Sequence, residues 1–146
     1  MAIKMFDEFI VLRIVKKQSP DKSRAEFLVK EVEISIEGLK ERIEKIGIND
    51  KNANSIVKDC YDIVMELVRA KMLLAGYNAS GQGAHEAEVS YMKIIGFNEK
   101  DIRFADQIRY FRNGMIYYGT MLNKEYAEKV VEFTNKIYPL LKEMLK

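Results

Sequence analysis

Apolar residues recur at steps of three and four along most of this 146-residue chain, the spacing of helices that bury one face. Ala25, Leu28, Val32, Ile36, Leu39, Ile43 and Ile46 form one such stripe and predict a long helix, about seven turns, over Pro20–Ile46. Ser19 and Pro20 read as its N-cap and first helical residue. Asp21 adds negative charge to the first turn, and Gly47 ends the helix. Ile56, Cys60, Ile63, Leu67, Ala70 and Leu74 predict a second helix over Asn54–Ala75, stopped by Gly76. A shorter helix follows over Ala84–Ile95. Asn98 caps the next one, with Glu99 and Asp101 in its first turn. It runs to about Tyr118, and Gly119 closes it. The last helix starts near Asn123 and carries Tyr126, Val130, Phe133, Ile137 and Leu141, with Pro139 predicting a kink. Ile3–Ile10 reads as a short first helix, and Val11–Gln18 as an irregular stretch able to run extended. Asn78–Gly83 reads as the flexible loop. No segment alternates convincingly with period two. The expected fold is all-α: an up-and-down bundle of four to five main helices, forming a single domain over residues 1–146.

Composition narrows the function classes. A hydrophobic share of 48% is too high for a disordered chain. Twenty-four basic residues against 22 acidic ones leave a formal charge of +2. Bulk electrostatics therefore demand no nucleic-acid partner, although a local patch remains open. One cysteine, Cys60, permits no internal disulfide and suits a reducing, cytoplasmic setting. One Cys and one His exclude a His/Cys zinc site, and neither metal nor cofactor is expected. No stretch has the length of a membrane span, and the N-terminus does not read as a signal peptide.

The segment Arg109–Gly119 carries the most chemistry. Arg109, Asn113 and Tyr117 follow one another at four-residue spacing and form a polar row, with Arg112 about 60° round the helix. Gly114 sits mid-helix, where glycine costs about 1 kcal/mol against alanine; such a glycine often admits another helix at close range. Two guanidinium groups, an amide and a phenol on one ridge suit a phosphate, which arginine binds bidentately. The same residues also fit a structural role, in which Arg109 and Arg112 pair with core-edge carboxylates such as Glu66 while the tyrosines pack.

The segment resembles the motif of the HEPN family, small prokaryotic helical domains often encoded beside minimal nucleotidyltransferases. That motif is an Arg, a polar residue, a few further residues and a His. Here Arg112 and Asn113 match the first two, and Tyr117 stands where the His belongs. The resemblance extends loosely over residues 20–146 through the helix order. It implies a homodimer whose two motif helices meet at a cleft, a phosphate or RNA ligand, and in active members metal-independent RNA cleavage. There the Arg steadies the phosphate and the His moves the proton of the ribose 2′-hydroxyl. It also implies a toxin–antitoxin setting, with a nucleotidyltransferase partner that in some members modifies a tyrosine just past the motif. Tyr118 is the tyrosine nearest that place. The substitution matters physically: imidazole exchanges protons near neutral pH, whereas a phenol titrates near 10.

His85, the one histidine, follows the glycine-rich loop. It reads either as a group that swings into the Arg112 cleft to supply the missing imidazole, or as a surface residue eased by Glu86 and Glu88. Glu66 and Arg69 read as an ion pair on the second long helix or within the bundle, or as a group orienting Arg112. The candidate catalytic set is thus Arg112, Asn113 and Tyr117, and the candidate binding set Arg109, Arg112, Tyr118, His85 and Glu66. Three readings stay open: a regulatory phosphate-, nucleotide- or RNA-binding domain, a metal-independent ribonuclease using Tyr117 or His85, and a helical dimerisation scaffold without ligand.

Overall fold

The computed structural model describes residues 3–146, apart from the side chains of Ile116 and Tyr117. Among these residues six helices run α1 (Phe6–Val11), α2 (Lys22–Ile46), α3 (Ala53–Leu74), α4 (Ala84–Ile94), α5 (Glu99–Tyr117) and α6 (Lys124–Met144). They form an all-α helical bundle, joined by one small antiparallel sheet of β1 (Val15–Lys17) and β2 (Tyr77–Ala79).

The long helix starts later than its Ser19–Pro20 signal suggests. Gln18 N–H donates to Gly76 O at 2.8 Å and Asp21 N–H to Leu73 O at 3.0 Å. These bonds hold residues 18–21 extended against the end of α3. The cap is Asp21, whose Oδ1 accepts from Arg24 N–H at 3.1 Å. Asn98 caps α5 as expected, accepting from Asp101 N–H, and Asn123, near which the last helix was expected to begin, caps α6 by accepting from Tyr126 N–H. Pro139 lies within α6, which continues to Met144. The loop expected at Asn78 begins instead as a strand: Val15 pairs with Ala79 and Lys17 with Tyr77. Three residues per strand are too few to alternate visibly.

The α3 helix is the centre of the molecule, packing on α2, α4, α5 and α6. Its buried residues include Ile56, Val57, Ile63, Val64, Leu67 and Val68, so it is covered on more than one face. One core cluster draws on all six helices, from Phe9 in α1 to Leu141 in α6. One side of α3 carries a polar row of Asp59, Asp62, Glu66 and Arg69 at steps of three and four. Among the described residues no helix is long and apolar enough to cross a membrane.

Two glycines give opposite expectations. Gly76 has φ +86°, and an added Cβ would stand 2.7 Å from the backbone oxygen of Gln18. Gly76→Ala is therefore expected to cost about 2 kcal/mol or more in denaturant unfolding, since strain and a backbone clash add. Gly38 lies inside α2 with open space around its Cβ position. Gly38→Ala should stabilise by about 0.5–1 kcal/mol in the same measurement.

Candidate functional site

Polar side chains from α3, α4 and α5 converge on Tyr61. This tyrosine is 3% exposed and faces the first turn of α4 and the second half of α5. The His85 ring meets it edge-on, with centroids 6.3 Å apart, and the Arg112 guanidinium carbon lies 5.6 Å from its ring centroid. His85 and Arg112, far apart in sequence, thus share one aromatic neighbour.

Three arginines in this region are held to very different degrees. Arg69 is fully committed: its Nε donates to Glu88 Oε2 at 2.5 Å and a terminal nitrogen to Oε1 at 3.1 Å. Glu88 is only 2% exposed. Its burial pushes its carboxyl pKa upward, but hydrogen bonds from His85 and Arg69 outweigh that and leave it below the ordinary value. His85 Nδ1 stands 3.4 Å from Glu88 Oε1, so Glu88 joins α3 to the start of α4. Arg109 is held on its own helix, its Nε donating to Asp106 Oδ1 at 2.8 Å, with Glu86 at 3.8 Å.

Arg112 is the least engaged. One terminal nitrogen lies 3.3 Å from Asp62 Oδ1, and its side chain is 22% exposed. Its Nε is buried and finds no hydrogen-bond partner among the described residues. Asp62 is a weak counter-ion. Burial holds its carboxyl above the usual aspartate range against the pull of Arg112, and Asp59 one turn away adds repulsion. Arg112 is therefore neither locked in a tight internal pair nor fully open to solvent.

The structure redistributes several of the expected roles. Arg109, Arg112 and His85 do come together. Glu66 does not pair with either motif arginine, and Arg69 bonds to Glu88 rather than to Glu66. Burial, with Asp62 next, raises the Glu66 carboxyl. Gly114 admits no second helix: an added Cβ would stand 2.5 Å from Oγ1 of Thr120, in the loop that folds back on α5. Thr120 N–H and Tyr118 N–H both donate to Gly114 O. Asn113 is half-buried one turn beyond Arg109. Tyr118 is exposed beyond the end of α5. The phenol of Tyr117 lies outside the described side chains.

Sequence reasoning missed Tyr61, Asp62 and Asp106, and the bond of Glu88 to Arg69. The signal for Asp62 was present in the polar residues left between the apolar positions of α3, and Asp106 stands three before Arg109. Glu88 was visible only as a neighbour of His85, which stands three residues before it on α4; its bond to Arg69 on α3 and the place of Tyr61 depend on contacts between helices. Among the described residues no group of three or more His, Cys, Asp or Glu side chains is placed to hold a metal ion. No family model, curated protein or solved structure matches the chain.

Proposed function

We propose that this protein is a HEPN-like regulatory domain that binds the phosphate of an RNA or nucleotide through Arg112, with Arg109 lending charge beside it. The observation that carries this reading is the state of Arg112. A guanidinium with one 3.3 Å ion pair and a buried Nε without an acceptor has bonding capacity in reserve. Arg69, bonded twice to Glu88, has much less. A phosphate oxygen would displace Asp62, which holds Arg112 only through one 3.3 Å contact and is half-exposed to water.

The same reading makes the chain a homodimer. Tyr110, Tyr118 and Met121 are 68%, 86% and 82% exposed around the end of α5, an apolar surface suited to a second copy. A minimal nucleotidyltransferase is the proposed further partner, in a cytoplasmic toxin–antitoxin setting. Sedimentation as a dimer at micromolar concentration is expected; a monomer there contradicts this part of the proposal.

A second reading, metal-independent RNA cleavage, is favoured by the meeting of His85 and Arg112 at Tyr61. His85 is half-exposed and supplies the imidazole that Tyr117 cannot. It would accept the 2′-hydroxyl proton as that oxygen attacks the adjacent phosphorus and return it to the departing 5′-oxygen, leaving a 2′,3′-cyclic phosphate, while Arg112 steadies the phosphate under attack. Incubating the protein with single-stranded RNA and a chelator separates the readings. Binding without cleavage supports the regulatory domain. Cleavage that disappears in His85→Ala supports the ribonuclease. Neither binding nor cleavage of RNA or AMP contradicts both, leaving a helical scaffold.

A further inference from the structure

Seven of the described residues have a positive φ; six are glycines and the seventh is Arg13, at φ 61°. Arg13 stands just past the end of α1. Its N–H donates to Ile10 O and the Ile14 N–H to Phe9 O, both at 3.0 Å. This pair of bonds closes the helix on a left-handed residue, where glycine is usual because it has no Cβ to strain. An arginine kept there against that strain points to a use for its side chain.

The surroundings narrow that use. No acidic residue occurs from Phe9 to Pro20, a run that carries Arg13, Lys16 and Lys17. All three are exposed, and among the described residues none of them is in an ion pair. Strand β1 pairs with β2, which belongs to a second acid-free run, Leu67–His85. Ser80 N–H donates to Ile14 O at 3.1 Å, so the ladder extends to the exposed loop of Ser80, Gly81 and Gln82. Side chains two apart on a strand share a face. A Cβ at Gly83 would stand 3.0 Å from Ile14 Cδ1, so Ile14 and Lys16 share the face towards Gly83. Two residues on is His85, which with Arg112 borders the Tyr61 ring. Lys17 takes the opposite face, that of the buried Val15. From His85 to Lys16 and Arg13 the surface thus crosses a loop with no carboxylate of its own.

We propose that Arg13 and Lys16 bind the backbone of a single-stranded RNA, one of whose phosphates sits at Arg112. This inference rests on the phosphate-binding reading above and chooses RNA over a mononucleotide as the ligand. Unpaired cations along a surface free of carboxylates suit a chain of phosphodiesters. Val11 and Leu12, 81% and 53% exposed beside Arg13, would suit an anionic lipid surface instead, and the test separates the two.

Fluorescence anisotropy with a labelled single-stranded RNA dodecamer, calorimetric titration with AMP and co-sedimentation with phosphatidylserine vesicles compare the wild type with four variants: Arg13→Gly, Lys16→Ala, Lys17→Ala and Arg112→Ala. Arg13→Gly and Lys16→Ala are each expected to weaken the dodecamer roughly three- to tenfold and to flatten its log–log salt dependence by about 0.7, with AMP affinity unchanged. Lys17→Ala, an equal change of charge on the other face, should leave the dodecamer bound as before. Arg13→Gly should not lower the melting temperature, because glycine takes the left-handed conformation freely, so lost affinity there is not lost folding. Dodecamer binding unchanged in Arg13→Gly and Lys16→Ala but lost in Arg112→Ala overturns the track and leaves the phosphate reading standing. Equal losses in Lys16→Ala and Lys17→Ala, or wild-type binding of AMP without the dodecamer, overturn it in the same way. Vesicle binding that falls in Arg13→Gly and Lys16→Ala while RNA binding does not overturns it in favour of a lipid surface. Binding of neither RNA nor AMP by the wild type overturns both.

Discussion

Replacing Glu88 by alanine is expected to destabilise the protein by about 3 kcal/mol, the largest stability effect at any polar position of the site. The Glu88 side chain is 3% exposed and carries two hydrogen bonds from Arg69, itself 27% exposed, with His85 3.4 Å away. Removing the carboxylate leaves a half-buried guanidinium without its counter-ion, and that desolvated charge is what makes the truncation costly. It also cuts the Arg69–Glu88 ionic link between α3 and α4. Chemical denaturation of wild type and Glu88→Ala measures the loss.

The same pair sets a pH dependence. The folded-state pKa of Glu88 lies below its ordinary value. Its contribution is therefore complete above the ordinary glutamate pKa and is lost as pH falls through the lower folded value. Asp62 and Glu66 act in the opposite sense. Burial raises both, so the stability they add at low pH is lost as pH rises through their raised values. Unfolding free energy measured from neutral to acid pH should fall less steeply in Glu88→Gln than in the wild type, because the acid-side term has been removed.

The second large effect is functional. Arg112→Ala is expected to weaken RNA or nucleotide binding by roughly 10- to 100-fold, the equivalent of one or two charge-assisted hydrogen bonds to a phosphate. Its effect on stability should be small, under about 1 kcal/mol. The pair with Asp62 is long at 3.3 Å, and the aspartate it leaves behind is 48% exposed and can be hydrated. Arg69→Ala should show the reverse pattern, a large loss of stability for little direct loss of ligand contact. Binding isotherms and unfolding curves on both variants check the contrast. If Arg112→Ala unfolds the protein as readily as Arg69→Ala, then Arg112 is a structural residue.

Much of this architecture is written in local patterns. The apolar stripes of α2 and α3 and the caps at Asn98 and Asn123 follow from spacing and side-chain chemistry that act within a turn or two. The misread elements depend on contacts distant in sequence. Ser19–Pro20 has a strong capping signature, but backbone bonds from residues 18 and 21 to the end of α3 delay the helix to Lys22. Strands β1 and β2 exist only as a pair, held at residues 15–17 and 77–79.

The site divides the same way. The ridge bearing Arg109, Arg112 and Asn113 is visible because helical geometry fixes residues three and four apart. The identity of each arginine's counter-ion is not, because it depends on how α3, α4 and α5 are rotated about their axes. That rotation gives Glu88 to Arg69 and Asp62 to Arg112, where sequence spacing alone offers Glu66 to either. It also brings His85 and Arg112 onto Tyr61, a residue outside the apolar stripe read for α3.

The most direct test observes Arg112 itself. Arginine Nε–H resonances, assigned by Arg112→Lys and Arg69→Lys variants, can be followed by 1H–15N NMR while single-stranded RNA, AMP or inorganic phosphate is added. The Arg112 signal should shift and its exchange with solvent slow as the ligand saturates, while the Arg69 signal, already bonded to Glu88, stays in place. An Arg112 resonance that does not move at ligand concentrations where other signals have saturated would mean that the anion is held elsewhere.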